Sequence, residues 1–232
     1  MEDYEERYDM RMAGSWILGH ARRTGIPELP LDLREMTGNQ CSEDELREIV
    51  FAGAAAGLKL YPFKTGTQVL PRVRRTLGFL HSVSFESLLD VGSGRGVFLI
   101  PFLKEFPYVQ VHSLDLLEKR VLFLNELADG GAFPLLAEQK DICEQPFPEK
   151  SFDVVTMLEV LEHIPDVDKA VRAAVKTARC CVVVTVPSKP DNNPEHIHLL
   201  TKEKLTRLFN DAGCDRLHFD GVEGHLFMVG MI

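Results

Sequence analysis

The sequence predicts an α/β protein: helices cover both faces of a mostly parallel, doubly wound β-sheet, the last strand runs antiparallel, and a helical extension precedes the sheet domain. Three observations lead to this prediction. From about residue 77 onward, short β-branched apolar runs alternate with amphipathic stretches, a pattern typical of βαβ units. A cluster of glycines stands between the first such run and the helix pattern that follows it. The final two apolar runs are joined by a short loop, which predicts a hairpin.

The first part of the chain differs in character from the rest, so we assign residues 1–76 to a helical N-terminal extension and residues 77–232 to the sheet domain. Ser42 and Glu45 have the spacing of a capping box and predict a helix that begins just after Ser42. The segment 59–75 is basic, and it is either a phosphate-contacting arm or one face of an amphipathic helix. The buried residues of that helix would be Val69, Val73, Leu77 and Leu80.

The elements of the sheet domain follow in order along the chain. Apolar runs predict strands, and the amphipathic stretches between them predict helices. Strands are predicted over residues 87–91, 109–116, 151–160, 180–187, 214–222 and 225–232. Helices are predicted over residues 96–106, 117–131, 166–178 and 201–213.

Bulk composition limits the class of function. The 232 residues carry a formal net charge of −9, which argues against a general polyanion-binding protein. The acidic N-terminus lacks the apolar core of a signal peptide, and no apolar run reaches the ~18 residues of a membrane span, so we expect no membrane partner. The five cysteines, with Cys180 and Cys181 adjacent, show no metal-finger spacing. We therefore expect a cytoplasmic protein with reduced thiols and no disulfide-linked partner.

The stretch LLDVGSGRG (88–96) places a glycine-rich turn between a strand and a helix. Such a turn lets the backbone approach a ligand closely. The G-x-G-x-G spacing differs from the G-x-G-x-x-G of dinucleotide-binding folds, because Val97 stands where the third glycine would be. Asp90, two residues before Gly92, is awkward for a pyrophosphate and suits a cationic ligand such as an amino group or a sulfonium. A dehydrogenase is therefore the less favoured interpretation.

From this motif onward, over about residues 86–232, the sequence resembles the class I S-adenosylmethionine-dependent methyltransferases. LLDVGSGRG resembles the family's first motif, and an acidic residue ends the second predicted strand. The stretch QKDICEQPFPEKSFDVV (139–155) resembles the family's sequence of an acidic and an apolar residue, a Pro-Phe-Pro turn and Ser-Phe-Asp. The closing hairpin fits the family's seventh, antiparallel strand. The resemblance implies a Rossmann-like sheet of seven strands and S-adenosyl-L-methionine as the cofactor.

The resemblance also implies a set of cofactor contacts. The glycine turn would lie under the methionine part, and Asp115, at the end of the second strand, would accept hydrogen bonds from both ribose hydroxyls. Asp141 would accept a hydrogen bond from the adenine amino group, and Ile142 would pack beside the adenine ring. The implied cofactor-binding residues are Asp90, Gly92, Ser93, Gly94, Asp115, Leu116, Asp141 and Ile142.

Candidate residues for the acceptor side follow the strand predicted over 151–160. Glu159, Glu162 and His163 have the i, i+3, i+4 spacing that places side chains on one face of a helical turn. His196 and His198 stand just before the next helix. We take Glu159, Glu162, His163 and His196 as candidate catalytic residues, with His198 behind them. Two carboxylates and two imidazoles would also suit a divalent ion such as Mn²⁺ or Mg²⁺, and otherwise the histidine caps the turn or lines the acceptor pocket.

Three functions stay open. The first is methyl transfer to an unidentified acceptor, with a small molecule expected first, because relatives of the quinone-biosynthesis methyltransferases carry a similar Glu-x-x-Glu-His stretch. The second is metal-dependent 2′-O-methylation of RNA. Here the sequence resembles the small-RNA 3′-terminal 2′-O-methyltransferases, in which the residues matching the four candidates bind a divalent metal that grips two ribose hydroxyls. HIHLLT (196–201) departs from that family's aromatic-rich segment. The third, outside the class, is a cofactor-binding module without turnover.

Overall fold

The computed structural model describes residues 8–64, 70–190 and 192–232. The chain divides into two compact units, each built from several stretches of sequence. The first unit combines the described part of Met1–Val69 with Gly94–Tyr108 and Leu117–Ala137. The second unit consists of Leu70–Ser93, Val109–Leu116 and Glu138–Ile232. The domain boundary placed after residue 76 is a division of the sequence and stays a prediction.

Eight helices and seven strands are present in the described ranges. The helices are α1 (Met10–Thr24), α2 (Leu31–Arg34), α3 (Glu43–Ala55), α4 (Pro71–Leu80), α5 (Leu99–Glu105), α6 (Glu118–Gly131), α7 (Val167–Thr177) and α8 (Lys202–Asp211). The strands are β1 (Ser87–Val91), β2 (Gln110–Asp115), β3 (Leu135–Gln139), β4 (Phe152–Leu158), β5 (Ala178–Pro187), β6 (Arg216–Val222) and β7 (His225–Met231). Short 3₁₀ helices span Tyr61–Phe63, Ile142–Glu144 and Leu161–His163.

The seven strands form one sheet in the order β3-β2-β1-β4-β5-β7-β6. β1 pairs in parallel with β2 and β4, and β4 pairs in parallel with β5. β7 runs antiparallel to both β5 and β6. The predicted α/β fold with an antiparallel last strand is therefore confirmed. The strand order reverses between β1 and β4, and ligands of such sheets bind at that point, beyond the carboxyl ends of the strands.

The core of the second unit explains why its strand segments are so apolar. A strand covered on both faces has no polar side, and β5 accordingly carries a run of fully buried valines, Val182 to Val184.

Asp153 connects the amino-terminal ends of three strands. Its carboxylate accepts hydrogen bonds from the backbone N–H groups of Glu86 and Ser87 and from Arg179 Nε. The aspartate of the Ser-Phe-Asp motif thus holds the start of β1 against β4.

The first unit is organised by the packing of α1 against α6. Trp16 Nε1 donates to Glu126 Oε2 at 2.9 Å, and Arg23 Nε donates to Glu126 Oε1 at 2.6 Å. A Cβ on Gly130 would lie 1.8 Å from the backbone oxygen of Ser15, so the two helices meet where a side chain has no room.

In α3 the capping box predicted between Ser42 and Glu45 is present, and that prediction is confirmed.

Some predicted elements differ from the observed ones. The helix predicted from the basic segment is α4, and its predicted apolar residues Val73, Leu77 and Leu80 are buried, while Val69 lies outside the described residues. The strand predicted to reach residue 160 ends at Leu158. β3 was not among the predicted runs, because its sequence LLAEQ is short and half-exposed. None of the helices in the described ranges is long and apolar enough to cross a lipid bilayer.

Candidate cofactor and acceptor site

The glycine turn follows β1 directly, and its first residue, Gly92, leaves no room for a side chain. Gly92 has a φ of +70°, and its N–H donates to the Leu114 oxygen at 2.7 Å. A Cβ at this position would lie 2.6 Å from Val160 Cγ2, which is closer than real Cβ atoms approach. Gly92 is therefore required for two independent reasons: a left-handed backbone and a close neighbour. The resulting bare backbone faces the carboxyl edge of the sheet.

Asp90, the last residue but one of β1, is a buried carboxylate. It is 2% exposed and accepts a hydrogen bond from Thr156 Oγ1 at 2.6 Å. Burial raises the pKa of Asp90 to about 6, against the lowering effect of hydrogen bonds from Ser93 and Thr156, and the charge of Asp115 raises it further. Ser113 Oγ donates to Ser93 Oγ at 2.7 Å and so holds the serine of the turn.

Thr156 was not among the predicted site residues. It lies directly opposite Asp90 in the parallel pairing of β1 with β4. A threonine in an otherwise apolar strand was the available signal, although the strand register was needed to connect it to Asp90.

Asp115 and Leu116 stand at the end of β2. Asp115 is 4% exposed, and Leu116 is exposed over 62% of its surface. The carboxylate is thus held inside the fold while the next side chain is available to a ligand. Gly94 also has a left-handed backbone, with a φ of +59°, and it begins a stretch of the first unit.

Asp141 and Ile142 follow β3. One oxygen of Asp141 accepts from the Cys143 backbone N–H at 2.8 Å, which caps the short 3₁₀ helix Ile142–Glu144. Ile142 is 2% exposed and packs in the core of the second unit. In this structure, therefore, Asp141 offers a half-exposed carboxylate, whereas Ile142 contributes to the core.

The structure brings three of the four acceptor-side candidates together. One ligating atom each from Glu162, His163 and His196 lies within 4.8 Å of the others. Glu162 is fully buried. His163 Nδ1 lies 2.9 Å from the Glu195 carbonyl oxygen, and this contact leaves Nε2 for another partner. In histidines that bind metals or move protons, a hydrogen bond at one ring nitrogen commonly fixes the orientation of the ring and leaves the other nitrogen for the reaction.

The loop that carries His196 is fastened to the 3₁₀ turn by backbone hydrogen bonds. The Glu162 carbonyl oxygen accepts from the N–H groups of Ile197 at 2.9 Å and His198 at 3.3 Å. His198 Nε2 lies 3.3 Å from the Pro165 oxygen, so this histidine is directed to a different partner. The cluster of Glu162, His163 and His196 is called the acceptor cluster below.

Glu159 lies in a separate network. The predicted helical turn from Glu159 to His163 was wrong, because Glu159 has a left-handed φ of +58° and the 3₁₀ helix contains only Leu161–His163. Glu159 Oε1 accepts from Thr185 Oγ1 at 2.9 Å, and Oε2 lies 3.0 Å from His225 Nε2. Among the residues described, no grouping of potential metal ligands includes Glu159.

Two of the three arginines of α4, Arg72 and Arg75, have protein partners. Arg75 Nε donates to Asp220 at 2.9 Å, and the guanidinium lies 4.5 Å from the centre of the Phe227 ring. Arg72 Nε lies 4.0 Å from Glu159 Oε1. These contacts support the interpretation of α4 as a packed amphipathic helix.

Comparison with known proteins adds a family and a fold. The sequence model of a family described as a methyltransferase domain matches residues 64–218, which is more than half of the chain. The chain is 34% identical over 107 residues to the 27-O-demethylrifamycin SV methyltransferase of Amycolatopsis mediterranei, covering 45% of this chain and 39% of that protein. It is 36% identical over 86 residues to the ribosomal RNA small subunit methyltransferase G of Oceanobacillus iheyensis, covering 35% and 36% respectively. The chain thus spans well under half the length of these two curated relatives.

Among solved structures, the YcgJ protein of Bacillus subtilis superimposes with a TM-score of 0.59 at 15% identity. The superposition covers 69% of this chain and 97% of that one. At this level of identity the likeness shows the fold.

Proposed function

Because this chain belongs to the methyltransferase-domain family whose model matches residues 64–218, we propose that it transfers the methyl group of S-adenosylmethionine to a small-molecule acceptor. The observation that carries this proposal is the pair of buried carboxylates, Asp90 and Asp115, at the ends of adjacent strands beside the bare backbone of Gly92. Two carboxylates next to the bare backbone of Gly92 suit a cationic nucleoside better than a pyrophosphate.

Different residues of the chain would bind different parts of the cofactor. Asp90 and the turn through Gly92, Ser93 and Gly94 would hold the methionine part. Asp115 would accept hydrogen bonds from the ribose hydroxyls with its two oxygens. The contacts with the ribose face and the adenine are assigned to Leu116 and Asp141, while Ile142 would pack behind the adenine as part of the core. The exposure of Leu116 and the half-exposed carboxylate of Asp141 support these roles.

When bound, the cofactor supplies a methyl group on a positively charged sulfur. The protein's contribution is then to position the acceptor in line with that bond and to exclude water. An oxygen acceptor also has to lose a proton. The acceptor cluster suits that task, because the His163 ring is oriented by the Glu195 carbonyl and a buried carboxylate lies beside it.

The printed names of the relatives differ on the acceptor. The Amycolatopsis protein is named for a small molecule, and the Oceanobacillus protein is named for ribosomal RNA. A net charge of −9 and the protein partners of Arg72 and Arg75 support a small molecule over a polyanion.

A second candidate function is metal-dependent 2′-O-methylation of RNA. The observation that favours it is the acceptor cluster itself, in which a carboxylate and two imidazoles converge within 4.8 Å. This donor set suits a divalent ion such as Mn²⁺. Glu162, His163 and His196 would hold the ion, which would lower the pKa of a bound hydroxyl. Glu159 would not join them without leaving Thr185 and His225.

The test is transfer of radiolabelled methyl groups from S-adenosylmethionine to a panel of phenols, catechols, amines and short RNA oligonucleotides, with and without EDTA. The proposal predicts a labelled small molecule. A labelled RNA 3′ end that is lost in EDTA would instead establish the second candidate. If the cofactor binds and no acceptor in a widened panel is labelled, the chain is a cofactor-binding module without turnover.

A further inference from the structure

We propose that Glu159 is a positioning residue, whose side chain holds a left-handed turn at the end of β4. This turn places Val160 against Gly92 and the backbone of the glycine turn, which are called the cofactor cradle below. It also directs the 3₁₀ helix Leu161–His163 toward the acceptor cluster. The inference rests on the proposed cofactor site at Gly92. Thr185 and His225 hold the Glu159 carboxylate and so support the site, and Glu159 itself takes no part in the chemistry.

The backbone of Glu159 is unusual for its residue type. A φ of +58° lies in the left-handed region, where side chains other than glycine are disfavoured by contact between Cβ and the backbone. Such conformations persist where the surrounding structure fixes them. Glycine would adopt this conformation freely, so the glutamate side chain has to contribute something that glycine lacks.

That contribution is a set of contacts with two neighbouring strands. The Glu159 N–H donates to the Thr185 carbonyl at 2.9 Å, and the Thr185 hydroxyl donates back to Glu159 Oε1 at 2.9 Å. The backbone and the side chain of Glu159 are therefore both fixed to one residue of β5. The other oxygen meets His225 Nε2 at 3.0 Å, at the first residue of β7.

His225 is itself held in place. Its Nδ1 lies 2.9 Å from the Glu223 carbonyl oxygen, so both ring nitrogens face acceptors. These two contacts fix the orientation of the imidazole ring beside Glu159. The side chains of Glu159 and His225 are both about one-fifth exposed, which keeps this pair away from full solvent screening.

The turn at Glu159 determines where the next residues lie. Val160 fills the space beside Gly92 that a Cβ there would enter. Leu161–His163 then forms the 3₁₀ helix that carries two members of the acceptor cluster. One left-handed residue therefore sets both the wall of the cofactor cradle and the direction of the acceptor-side groups.

A substitution series at Glu159 separates positioning from chemistry. Calorimetric titration with S-adenosylhomocysteine should show Glu159→Gln within about threefold of wild type, because the amide keeps the length and an acceptor oxygen. Glu159→Ala should weaken binding roughly five- to thirtyfold, since alanine has the left-handed cost and no anchor. Glu159→Gly should recover part of that loss, because glycine adopts the left-handed backbone without strain but lacks the side-chain contacts.

Lys150 provides a matched control at the other end of the same strand. It has a φ of +55°, is exposed, and precedes β4. Lys150→Ala and Lys150→Gly should leave binding unchanged. Thr185→Val, which removes only the hydroxyl from a buried site, should resemble Glu159→Ala.

Equal losses for glutamine, glycine and alanine would overturn the proposal, because they would mean that the charge of the carboxylate, and not the turn it holds, supports binding. Unchanged binding in all three would also overturn it. Hydrogen exchange of the ligand-free protein tests the same idea without a cofactor. The amides of 159–163 should exchange faster in Glu159→Ala and Thr185→Val than in Glu159→Gln. If the wild type binds no S-adenosylhomocysteine while this exchange order holds, the proposed cofactor fails and the positioning role stands.

Discussion

On the cofactor side of the candidate site the functional groups stand at the ends of regular strands, whereas on the acceptor side they follow a left-handed residue and one turn of 3₁₀ helix. Asp90 and Asp115 belong to β1 and β2, so the hydrogen-bond ladder of the sheet sets their positions. Glu162 and His163 are placed by the turn at Glu159 and by the loop that carries His196.

This difference shows how one fold can keep its cofactor and change its acceptor. The sheet determines the first set of groups, and altering them disturbs the core. The second set depends on local side-chain contacts, which can change without moving a strand. We therefore expect substitutions on the two sides to affect different measurements.

The largest expected effect is on turnover, from the acceptor side. His196→Gln should lower kcat by roughly 10²- to 10⁴-fold on the acceptor that the wild type methylates, because it removes one imidazole from the acceptor cluster. The Kd for S-adenosylmethionine should stay within about twofold of wild type. The matched control is His198→Gln, since His198 contacts Pro165 and lies outside the cluster. A cofactor affinity that falls together with turnover would break the separation of the two sides.

A smaller effect is expected from the cofactor cradle. Gly92→Ala forces a Cβ to within 2.6 Å of Val160 Cγ2 and disfavours the φ of +70°. We expect a loss of about 1–3 kcal/mol in the free energy of unfolding, measured by denaturant titration, together with weaker binding of S-adenosylhomocysteine. Gly221→Ala is the control, because a Cβ there meets nothing within 4 Å. If Gly92→Ala binds and unfolds like the wild type, the cradle is not the close-contact site described above.

The pH dependence of stability should come in part from Asp90. Its pKa is raised from 3.8 to about 6 in the folded protein, so the folded state binds this proton more tightly than the unfolded state does. The contribution of Asp90 to the free energy of unfolding is therefore fully present below about pH 4 and is lost as the pH rises through about 6. The loss is on the order of 3 kcal/mol at most.

Denaturant titration of the ligand-free protein at several pH values checks this. Between about pH 4 and 6 the free energy of unfolding should fall more steeply in the wild type than in Asp90→Asn. Saturating S-adenosylmethionine should flatten the difference, because a cationic ligand favours the ionised carboxylate. Identical slopes in the two proteins would show that Asp90 does not titrate in this range.

The cofactor side was largely predictable from sequence because its signals are local. An apolar run followed by alternating glycines marks a strand, a tight turn and a helix start. Asp90 stands two residues before the first glycine, and the family resemblance points to Asp115 at the end of the second strand. Thr156 was missed because its relation to Asp90 depends on the pairing of β1 with β4, which neither segment encodes alone. Ile142 illustrates the same limit, since the core cluster in which it is buried draws its residues from several strands and helices that are distant in sequence.

The acceptor side was predicted less well for the same physical reason. The spacing of Glu159, Glu162 and His163 fits a helix, and nothing local indicates a left-handed glutamate. The partners that hold it, Thr185 and His225, come from β5 and β7. Residue types were sufficient to select three members of the acceptor cluster, but only the fold shows that Glu159 lies elsewhere.

The proposed function depends on recognition of a cationic nucleoside by the carboxylates at the ends of β1 and β2. Isothermal titration of the wild type with S-adenosylmethionine and with NAD, repeated on Asp115→Asn, tests it most directly. We expect the wild type to bind S-adenosylmethionine and not NAD. Binding should weaken by about 2–4 kcal/mol, or roughly 30- to 1,000-fold, in Asp115→Asn and stay unchanged in the surface control Asp168→Asn. Preferential binding of NAD, or full affinity for S-adenosylmethionine in Asp115→Asn, would contradict it.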